Sequence, residues 1–321
     1  MKTYLKNYLT ETIEENKTIN QALGQLNGCS CLVTGGNGII GYAMSNLLDG
    51  HSKCNLNVAI RNNEFKGKNL LSDKVKFLGY NQIKSQKYDY IFHCASYSEP
   101  SRFLSEWEST MKLNIEFLLE LLSQTKNKLI FSGSTEVYSG NEKEVTENTI
   151  GQTQPQHPRG IYIESKRAAE AACAISGVGR VSRIALAAGP FPKENDTRVL
   201  YELIRKGLRQ GFIELMGGHK NIRQYQYSGA CVMRMLVSGL LGNELVYNNA
   251  GPYLITLEDL AKEISKKINV DYVDSKTDKN MDGAPKSVNI SMKLFNSEFP
   301  QMQNIDPTFD KFIEWIINEC Q

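Results

Sequence analysis

The chain has 321 residues, of which 41% are hydrophobic and 22% charged, and its formal charge is +2 at pH 7. These values are typical of a globular protein, and the near-neutral charge excludes a basic surface for non-specific binding of nucleic acid. No run approaches the ~18 apolar residues of a membrane helix and the N-terminus has no signal-peptide pattern, so we expect a cytoplasmic protein without a membrane partner.

At ~150 residues per domain, the length predicts two domains, or one large domain with an added lobe. Residues 1–27 have the apolar spacing of a helix and are predicted to form an N-terminal helical extension. The sequence leaves open whether this extension packs on the following domain or contacts another subunit.

From residue 28 to residue 189, short apolar runs alternate with helical patterns. Strands are predicted at 29–34, 55–61, 75–78, 88–94, 129–132 and 180–187, and helices at 39–48, 100–124 and 162–176. This alternation predicts an α/β fold, a doubly wound parallel sheet of the Rossmann type with about seven strands. After Gly189 the elements become shorter and mixed, which predicts a smaller C-terminal substrate-binding lobe at 190–321, with some segments returning to the first domain.

The cysteines and histidines do not form a metal-binding pattern. Cys29 and Cys31 are separated by one residue, no second such pair follows, and the four histidines are scattered. We therefore expect reduced, mostly buried thiols and no metal site.

A glycine-rich loop follows the first strand of this alternating region and precedes a helix. Gly35, Gly38 and Gly41 give the spacing G-x-x-G-x-x-G, with Asn37 and Ile39 in the same turn. Such a turn lets backbone N–H groups approach a pyrophosphate, whose charge the helix N-terminus stabilises. The loop predicts a dinucleotide-binding site, although glycine turns between strand and helix also occur for structural reasons alone.

A tyrosine and a lysine share one face of a later predicted helix. Tyr162 and Lys166 stand at positions i and i+4. A charged lysine beside a tyrosine favours the phenolate and lowers a pKa that is ~10 in model peptides. The pair therefore predicts a general base for a sugar or alcohol hydroxyl, although most pairs of this kind are only a solvated helix face.

With the glycine loop about 120 residues upstream, this pair resembles the extended short-chain dehydrogenase/reductases, and among them the NAD-dependent epimerase/dehydratase family that modifies nucleotide sugars. Further segments carry the likeness: His93-Cys94-Ala95-Ser96, Lys112-Leu113-Asn114-Ile115, Phe131 to Tyr138, Arg198-Val199 and Arg223 to Tyr227. The resemblance implies a catalytic set of Asn114, Ser134, Tyr162 and Lys166. It also implies that Ala95 and Lys166 line the cofactor and that Thr135, Arg198 and Arg223 bind a nucleotide-diphosphate sugar. We also expect a homodimer.

The chain departs from these relatives at several positions. The second strand ends at Arg61 and lacks the acidic residue that holds the ribose 2′-hydroxyl of NAD. An arginine there suits the 2′-phosphate of NADP or stacking on adenine. Tyr80 replaces an acidic residue near the adenine, and Leu186 replaces an asparagine that contacts substrate phosphates. We expect NAD, which the sugar-modifying relatives mostly use, with NADP as the alternative.

The same likeness implies how the reaction begins. Tyr162 takes the proton of a sugar hydroxyl, usually O4, while Ser134 binds the developing ketone and Lys166 holds the phenolate and the nicotinamide ribose. Glu136 stands where dehydratases and decarboxylases carry a carboxylate, and strand geometry predicts that it faces the same side as Ser134. Thr135 occupies the place of an aspartate in dTDP-glucose 4,6-dehydratases. The alternative for Glu136 is a carboxylate that only caps the following loop.

Three hypotheses remain open at this point. The first is a nucleotide-sugar epimerase, dehydratase or decarboxylase that oxidises C4 transiently with a tightly bound dinucleotide. The second is an NADP(H)-dependent keto-sugar reductase or sugar dehydrogenase, which Arg61 favours. The third is a non-catalytic dinucleotide-binding protein, against which the intact catalytic set argues.

Overall fold

The computed structural model describes residues 4–61, 71–84, 86–190, 196–274, 287 and 289–320. In chain order its strands are β1 (Ser30–Thr34), β2 (Asn55–Ile60), β3 (Lys76–Gly79), β4 (Tyr88–His93), β5 (Thr125–Ser134), β6 (Gly179–Ile184), β7 (Leu186–Ala188), β8 (Phe212–Leu215), β9 (Ile222–Tyr227), β10 (Val246–Asn249), β11 (Tyr253–Thr256) and β12 (Asp271–Asp274). Its helices are α1 (Tyr4–Glu15), α2 (Lys17–Gly24), α3 (Ile39–His51), α4 (Pro100–Ser105), α5 (Trp107–Met111), α6 (Phe117–Gln124), α7 (Gly160–Ser176), α8 (Val199–Gln210), α9 (Ser228–Leu241), α10 (Leu257–Ile268), α11 (Lys293–Glu298) and α12 (Phe309–Cys320).

Seven parallel strands form the central sheet, in the order β3-β2-β1-β4-β5-β6-β10. The chain runs outward from β1 to β3 and then crosses back to β4, so the strand order reverses between β1 and β4. Ligands of such sheets bind at the carboxyl ends of the strands beside this reversal. The predicted Rossmann-type fold is confirmed.

Both faces of the sheet are covered, because successive side chains of each strand point to opposite sides. On β1, Leu32 packs with Leu118 of α6 and Ala169 of α7. Its neighbour Val33 packs with Leu47 of α3 and with α9 on the other face. Burial on both sides explains why the strands read as continuous apolar runs in the sequence.

The N-terminal helices pack on the domain. Tyr8 of α1 is 7% exposed, and its ring lies edge-on to Tyr227, with 5.1 Å between the ring centroids. A side chain on Gly229 of α9 would place its Cβ 2.6 Å from the Tyr8 ring, so this glycine admits the tyrosine. Of the two interpretations of residues 1–27, the structure shows packing on α9 and α3.

The region after Gly189 contributes to two small sheets and to the central one. β7, β9 and β11 form a three-stranded sheet, β8 pairs with β12, and β10 adds the seventh strand to the central sheet. Within the described ranges, no helix is long and apolar enough to cross a membrane. In the same ranges, no group of three or more His, Cys, Asp or Glu side chains is placed to hold a metal ion.

Two predicted elements are divided in the structure. The helix expected over 100–124 is interrupted at Glu106, where the backbone leaves helical geometry, and again by a π-helical turn at Lys112–Glu116. The strand expected over 180–187 is cut after Ile184, because β6 belongs to the central sheet whereas β7 pairs with β9. The π-helical turn places Asn114 at the candidate site.

Candidate active site

The loop between β1 and α3 has room for nothing larger than glycine at two positions. Gly35 has φ of +72°, and a Cβ there would lie 2.8 Å from the backbone of Ala95. A Cβ on Gly41 would lie 2.2 Å from the Gly35 carbonyl oxygen, whereas Gly38 is exposed and begins α3. The tight loop leaves the helix N-terminus open toward the sheet edge, an arrangement that fits a pyrophosphate.

A threonine joins this loop to the end of β4. Thr34 Oγ1 accepts hydrogen bonds from the backbone N–H groups of Cys94 (3.2 Å) and Ala95 (3.3 Å). The same oxygen lies 2.7 Å from Nδ1 of His93, which is fully buried. Ala95 is thereby held against Gly35, as its predicted place beside the cofactor requires.

Tyr162 lies on α7 with its ring stacked on Phe103, the centroids 4.7 Å apart. The ring is 7% exposed, and burial is the main cause that raises the Tyr162 pKa to about 12. A hydrogen bond with Ser134 and the charges of Arg159 and Arg198 lower that pKa, while Glu136 raises it. The candidate base and the candidate hydroxyl donor are therefore in contact.

Lys166 is 1% exposed, one turn along α7 from the tyrosine. Its Nζ donates to the Ser132 carbonyl at 2.9 Å and lies 5.6 Å from the Tyr162 ring centroid. Burial lowers the Lys166 pKa to about 7, so this lysine is not fully charged at neutral pH. In the protein alone, burial keeps the Tyr162 pKa above its usual value, and the lowering of that pKa by a charged Lys166 stays a prediction.

Asn114 sits in the π-helical turn and is fully buried. Its Nδ2 donates to Ser165 Oγ at 2.9 Å, and its Oδ1 accepts from Ser96 Oγ at 2.8 Å. Ser165 in turn donates to the Tyr162 carbonyl at 2.9 Å. π-Helical turns occur often at functional sites. Here the turn connects the segment after β4 with the first turns of α7 through the hydrogen bonds of Asn114.

Glu136 lies in the short 3-10 helix Thr135–Tyr138 that follows β5, and its backbone N–H donates to Ser134 Oγ at 3.2 Å. Both of its carboxylate oxygens accept hydrogen bonds from Arg159. Oε2 lies 3.0 Å from Nε, and Oε1 lies 2.5 Å from Nη2. The side chains are 19% and 13% exposed. Sequence reasoning missed Arg159, although an arginine three residues before the candidate base was a visible signal.

Two other arginines reach the same region with different partners. Arg198 forms a two-pronged ion pair with the buried carboxylate of Asp196 and stacks over Tyr201. Arg223 on β9 donates to the Ile222 carbonyl at 2.9 Å, and burial lowers its pKa. The charges of Glu136 and Arg159 both act on Arg223, and those of Arg198 and Arg223 both act on Tyr225, so the four charged groups lie around one cleft.

The model of the NAD dependent epimerase/dehydratase family matches residues 31–237. The chain belongs to this family. It is 28% identical over 229 residues to UDP-glucuronic acid decarboxylase 1 of Xenopus tropicalis and of Danio rerio, which covers 65% of this chain and 52% of each relative. The chain thus spans about half the length of the curated relatives it matches.

Solved structures of the same architecture cover nearly the whole chain. An epimerase of Methanothermobacter thermautotrophicus superposes with a TM-score of 0.80 at 15% identity, over 94% of this chain and 95% of that one. The UDP-glucuronic acid 4-epimerase of Bacillus cereus, in complex with UDP-glucuronic acid and NAD, gives 0.73 at 17% identity, over 90% and 98%. At these identities the likeness shows the fold.

Aromatic side chains lie at the predicted adenosine end of the cleft. Arg61 directly follows β2, is exposed, and donates to the hydroxyl of Tyr97, over whose ring it lies at 5.3 Å. Tyr97 donates to Glu106 at 2.7 Å. Tyr80 packs on Phe117, with 4.7 Å between centroids, and its hydroxyl contacts the Gly35 backbone. Of the two positions expected to carry an acidic residue, one therefore holds Arg61 and the other Tyr80.

A small cavity of about 40 Å³ opens beside Thr135 and Glu136. The strand has ended before Thr135, so this residue lines the cavity together with its neighbour and does not point away from it. Its further lining residues are Tyr138, Ser139, Asn141, Lys143, Val145, Ser287, Asn289 and Ile290. The predicted substrate role of Thr135 stays a prediction that this position supports.

Proposed function

We propose that the protein modifies the sugar of a nucleotide-diphosphate sugar by transient oxidation at C4, and that it acts as a dehydratase or decarboxylase, with epimerisation as the simpler variant. The observation that carries the proposal is the contact of Tyr162 with Ser134, with Glu136 beside them in one cleft. A carboxylate at this place serves chemistry that follows the oxidation, which a simple hydride transfer does not need.

Four residues prepare the first step. Tyr162 accepts the proton of the sugar hydroxyl, and Ser134 donates a hydrogen bond to the oxygen that becomes a carbonyl. Asn114 fixes the start of the tyrosine helix through Ser165. NAD, when bound, would supply a hydride acceptor for C4 and a hydride donor at the end of the cycle, so the net reaction would consume no cofactor.

The glycine loop and Lys166 are the residues that would hold NAD. The amino end of α3, which follows the tight turn at Gly35 and Gly38, suits the pyrophosphate, and Lys166 suits the nicotinamide ribose. Lys166 donates a hydrogen bond to the Ser132 carbonyl and is buried, so its position is set by the protein before any ligand arrives.

Glu136 has its role after the oxidation. A ketone at C4 makes the proton on C5 acidic and weakens the bond from C5 to a carboxylate. A carboxylate side chain close to C5 can move a proton there, which completes the loss of water or of carbon dioxide. The curated relatives are decarboxylases, which agrees with this role of Glu136.

The substrate class follows from the arginines. The guanidinium of Arg223, with a backbone carbonyl as its hydrogen-bond acceptor, is suited to the diphosphate. Arg198 is paired with Asp196, and its charge acts on Tyr162. We therefore assign Arg198 to the sugar end of the cleft. Among the solved structures of this fold, one holds UDP-glucose and NAD.

We also propose that the protein is a cytoplasmic homodimer. Leu104, Trp107 and Leu119 on α4, α5 and α6 are 44%, 54% and 52% exposed, an apolar surface suited to a second copy of the chain. The seven cysteines are free thiols, which suits a reducing compartment.

A keto-sugar reductase that uses NADP(H) is the second candidate, favoured by Arg61 at the end of β2. The two are separated by releasing the nucleotide from purified protein and identifying it by mass, then incubating the protein with UDP-, dTDP- and GDP-sugars. We expect bound NAD and a product that differs from its substrate without consumption of added cofactor. Protein that carries no nucleotide but takes up NADPH and oxidises it with a keto-sugar would contradict the proposal.

A further inference from the structure

Among the described residues of the cleft, the Glu136–Arg159 pair is a cluster that neither the fold nor the catalytic set explains. Each of the two charged side chains has less than a fifth of its surface exposed. Two hydrogen bonds join the guanidinium of Arg159 to the carboxylate of Glu136. Such pairs fix both groups in position and orientation. Ser139 Oγ donates a longer hydrogen bond, of 3.4 Å, to the same carboxylate.

Arg159 is tied to the catalytic tyrosine as well as to the carboxylate. Its carbonyl accepts from the backbone N–H of Tyr162 at 3.2 Å, because it immediately precedes α7. Its guanidinium lies 5.4 Å from the centroid of the Phe103 ring, which stacks on Tyr162. Arginine, aromatic ring and tyrosine form one stack, so movement of one is passed to the others.

We propose that Arg159 is a positioning residue, which holds the Glu136 carboxylate beside the catalytic tyrosine and balances its charge there. The proposal deepens the proposed function and rests on it for the role of Glu136. Arginine is needed because its planar fork meets both carboxylate oxygens at once, which the ammonium of lysine does not.

The charge balance has a consequence for the base. The polar groups that face Tyr162 are Ser134, Glu136, Arg159, Lys166 and Arg198. Glu136 raises the Tyr162 pKa and Arg159 lowers it, so the two members of the pair act on the base in opposite directions. Loss of either partner alone leaves the other uncompensated in a poorly solvated site.

The test compares Glu136→Gln, Arg159→Gln, Arg159→Lys and the double glutamine variant with the wild type. The tyrosine must be deprotonated to act, so kcat/KM rises with pH through the pKa of Tyr162 in the NAD-bound enzyme, where the positive charge of the nicotinamide would lower this pKa from about 12. We expect this rise to move to lower pH in Glu136→Gln, to higher pH in Arg159→Gln, and back toward the wild type in the double variant.

The turnover number separates positioning from charge. Arg159→Gln is expected to lower kcat by about 10²-fold with little change in KM, since misplacement of a reacting group by ~1 Å has effects of this size. Arg159→Lys keeps the charge, so its pH profile should return toward the wild type while kcat stays low. Arg209→Gln, on the exposed end of α8, and Glu164→Gln, which pairs with Arg167 on α7, serve as charge-matched controls and should move neither.

A second measurement does not depend on turnover. Chemical unfolding of the four proteins of the cycle should show that the double variant loses less stability than the two single variants together. Additive losses would overturn the proposal, and so would single variants whose pH profiles move in the same direction or not at all. A wild type that converts no nucleotide sugar would refute the proposed function, and the unfolding cycle would still decide whether the pair acts as one unit.

Discussion

Replacement of Lys166 by methionine is expected to remove activity and to stabilise the protein at neutral pH. The lysine is 1% exposed, and burial lowers its pKa from 10.5 to about 7. Methionine has a similar length and no charge, so it removes the cost of burying an ammonium while filling the same space. Stability and catalysis are thus opposed at this position.

The magnitude follows from the pKa. At ~1.4 kcal/mol per pKa unit, the burial of Lys166 costs about 4 kcal/mol of folding free energy at pH 7 and about 1 kcal/mol at pH 10. Between the folded and unfolded pKa values the unfolded chain binds more protons, so this contribution makes the wild type more stable as pH rises. The methionine variant leaves the Ser132 carbonyl without its donor, which costs about 1–3 kcal/mol at every pH.

The assay is urea unfolding of cofactor-free wild type and variant from pH 7 to pH 10. The variant should be the more stable protein by about 2 kcal/mol at pH 7, and the order should reverse near pH 10. Lys6→Met, on the exposed side of α1, is the control and should show a difference from the wild type that does not change with pH. A Lys166→Met difference that stayed constant over this range would refute the burial argument.

Three further variants test other parts of the site and fold. Tyr162→Phe should lower kcat by about 10²–10⁴-fold without loss of bound NAD, because only the general base is removed; retained turnover would place the base elsewhere. Gly38→Val should fold, since φ there is −92°, and should lose NAD as measured by the absorbance of the purified protein. Tyr8→Ala should cost about 3–5 kcal/mol in unfolding, because this buried ring fills the space above Gly229; a cost near zero would contradict the packing of α1 on α9.

The sequence was informative where local chemistry decides the structure. Gly35 and Gly41 could be recognised because a turn between strand and helix that closes this tightly accepts no other residue. The i, i+4 spacing of Tyr162 and Lys166 fixed their common helix face before any tertiary structure was known. The parallel sheet followed from buried strands whose two faces are both apolar.

Other features depend on contacts that no local pattern contains. The charge state of Lys166 follows from its burial, which lowers its pKa although Cys94, Glu170 and Cys173 raise it. Arg159 was overlooked because its partner lies 23 positions earlier, after a different strand. The division of the strand after Ile184 results from pairing of β7 with β9, a strand more than thirty residues later in the sequence.

The central claim is that hydride leaves C4 of the sugar and returns to the same molecule. It is tested most directly with a nucleotide sugar that carries deuterium at C4, incubated with the protein and an excess of unlabelled NAD, with mass spectrometry of product and of cofactor. The account predicts that the product sugar retains the deuterium and that the added NAD pool remains unlabelled. Deuterium in the added cofactor, with an unlabelled or oxidised sugar as product, would contradict it.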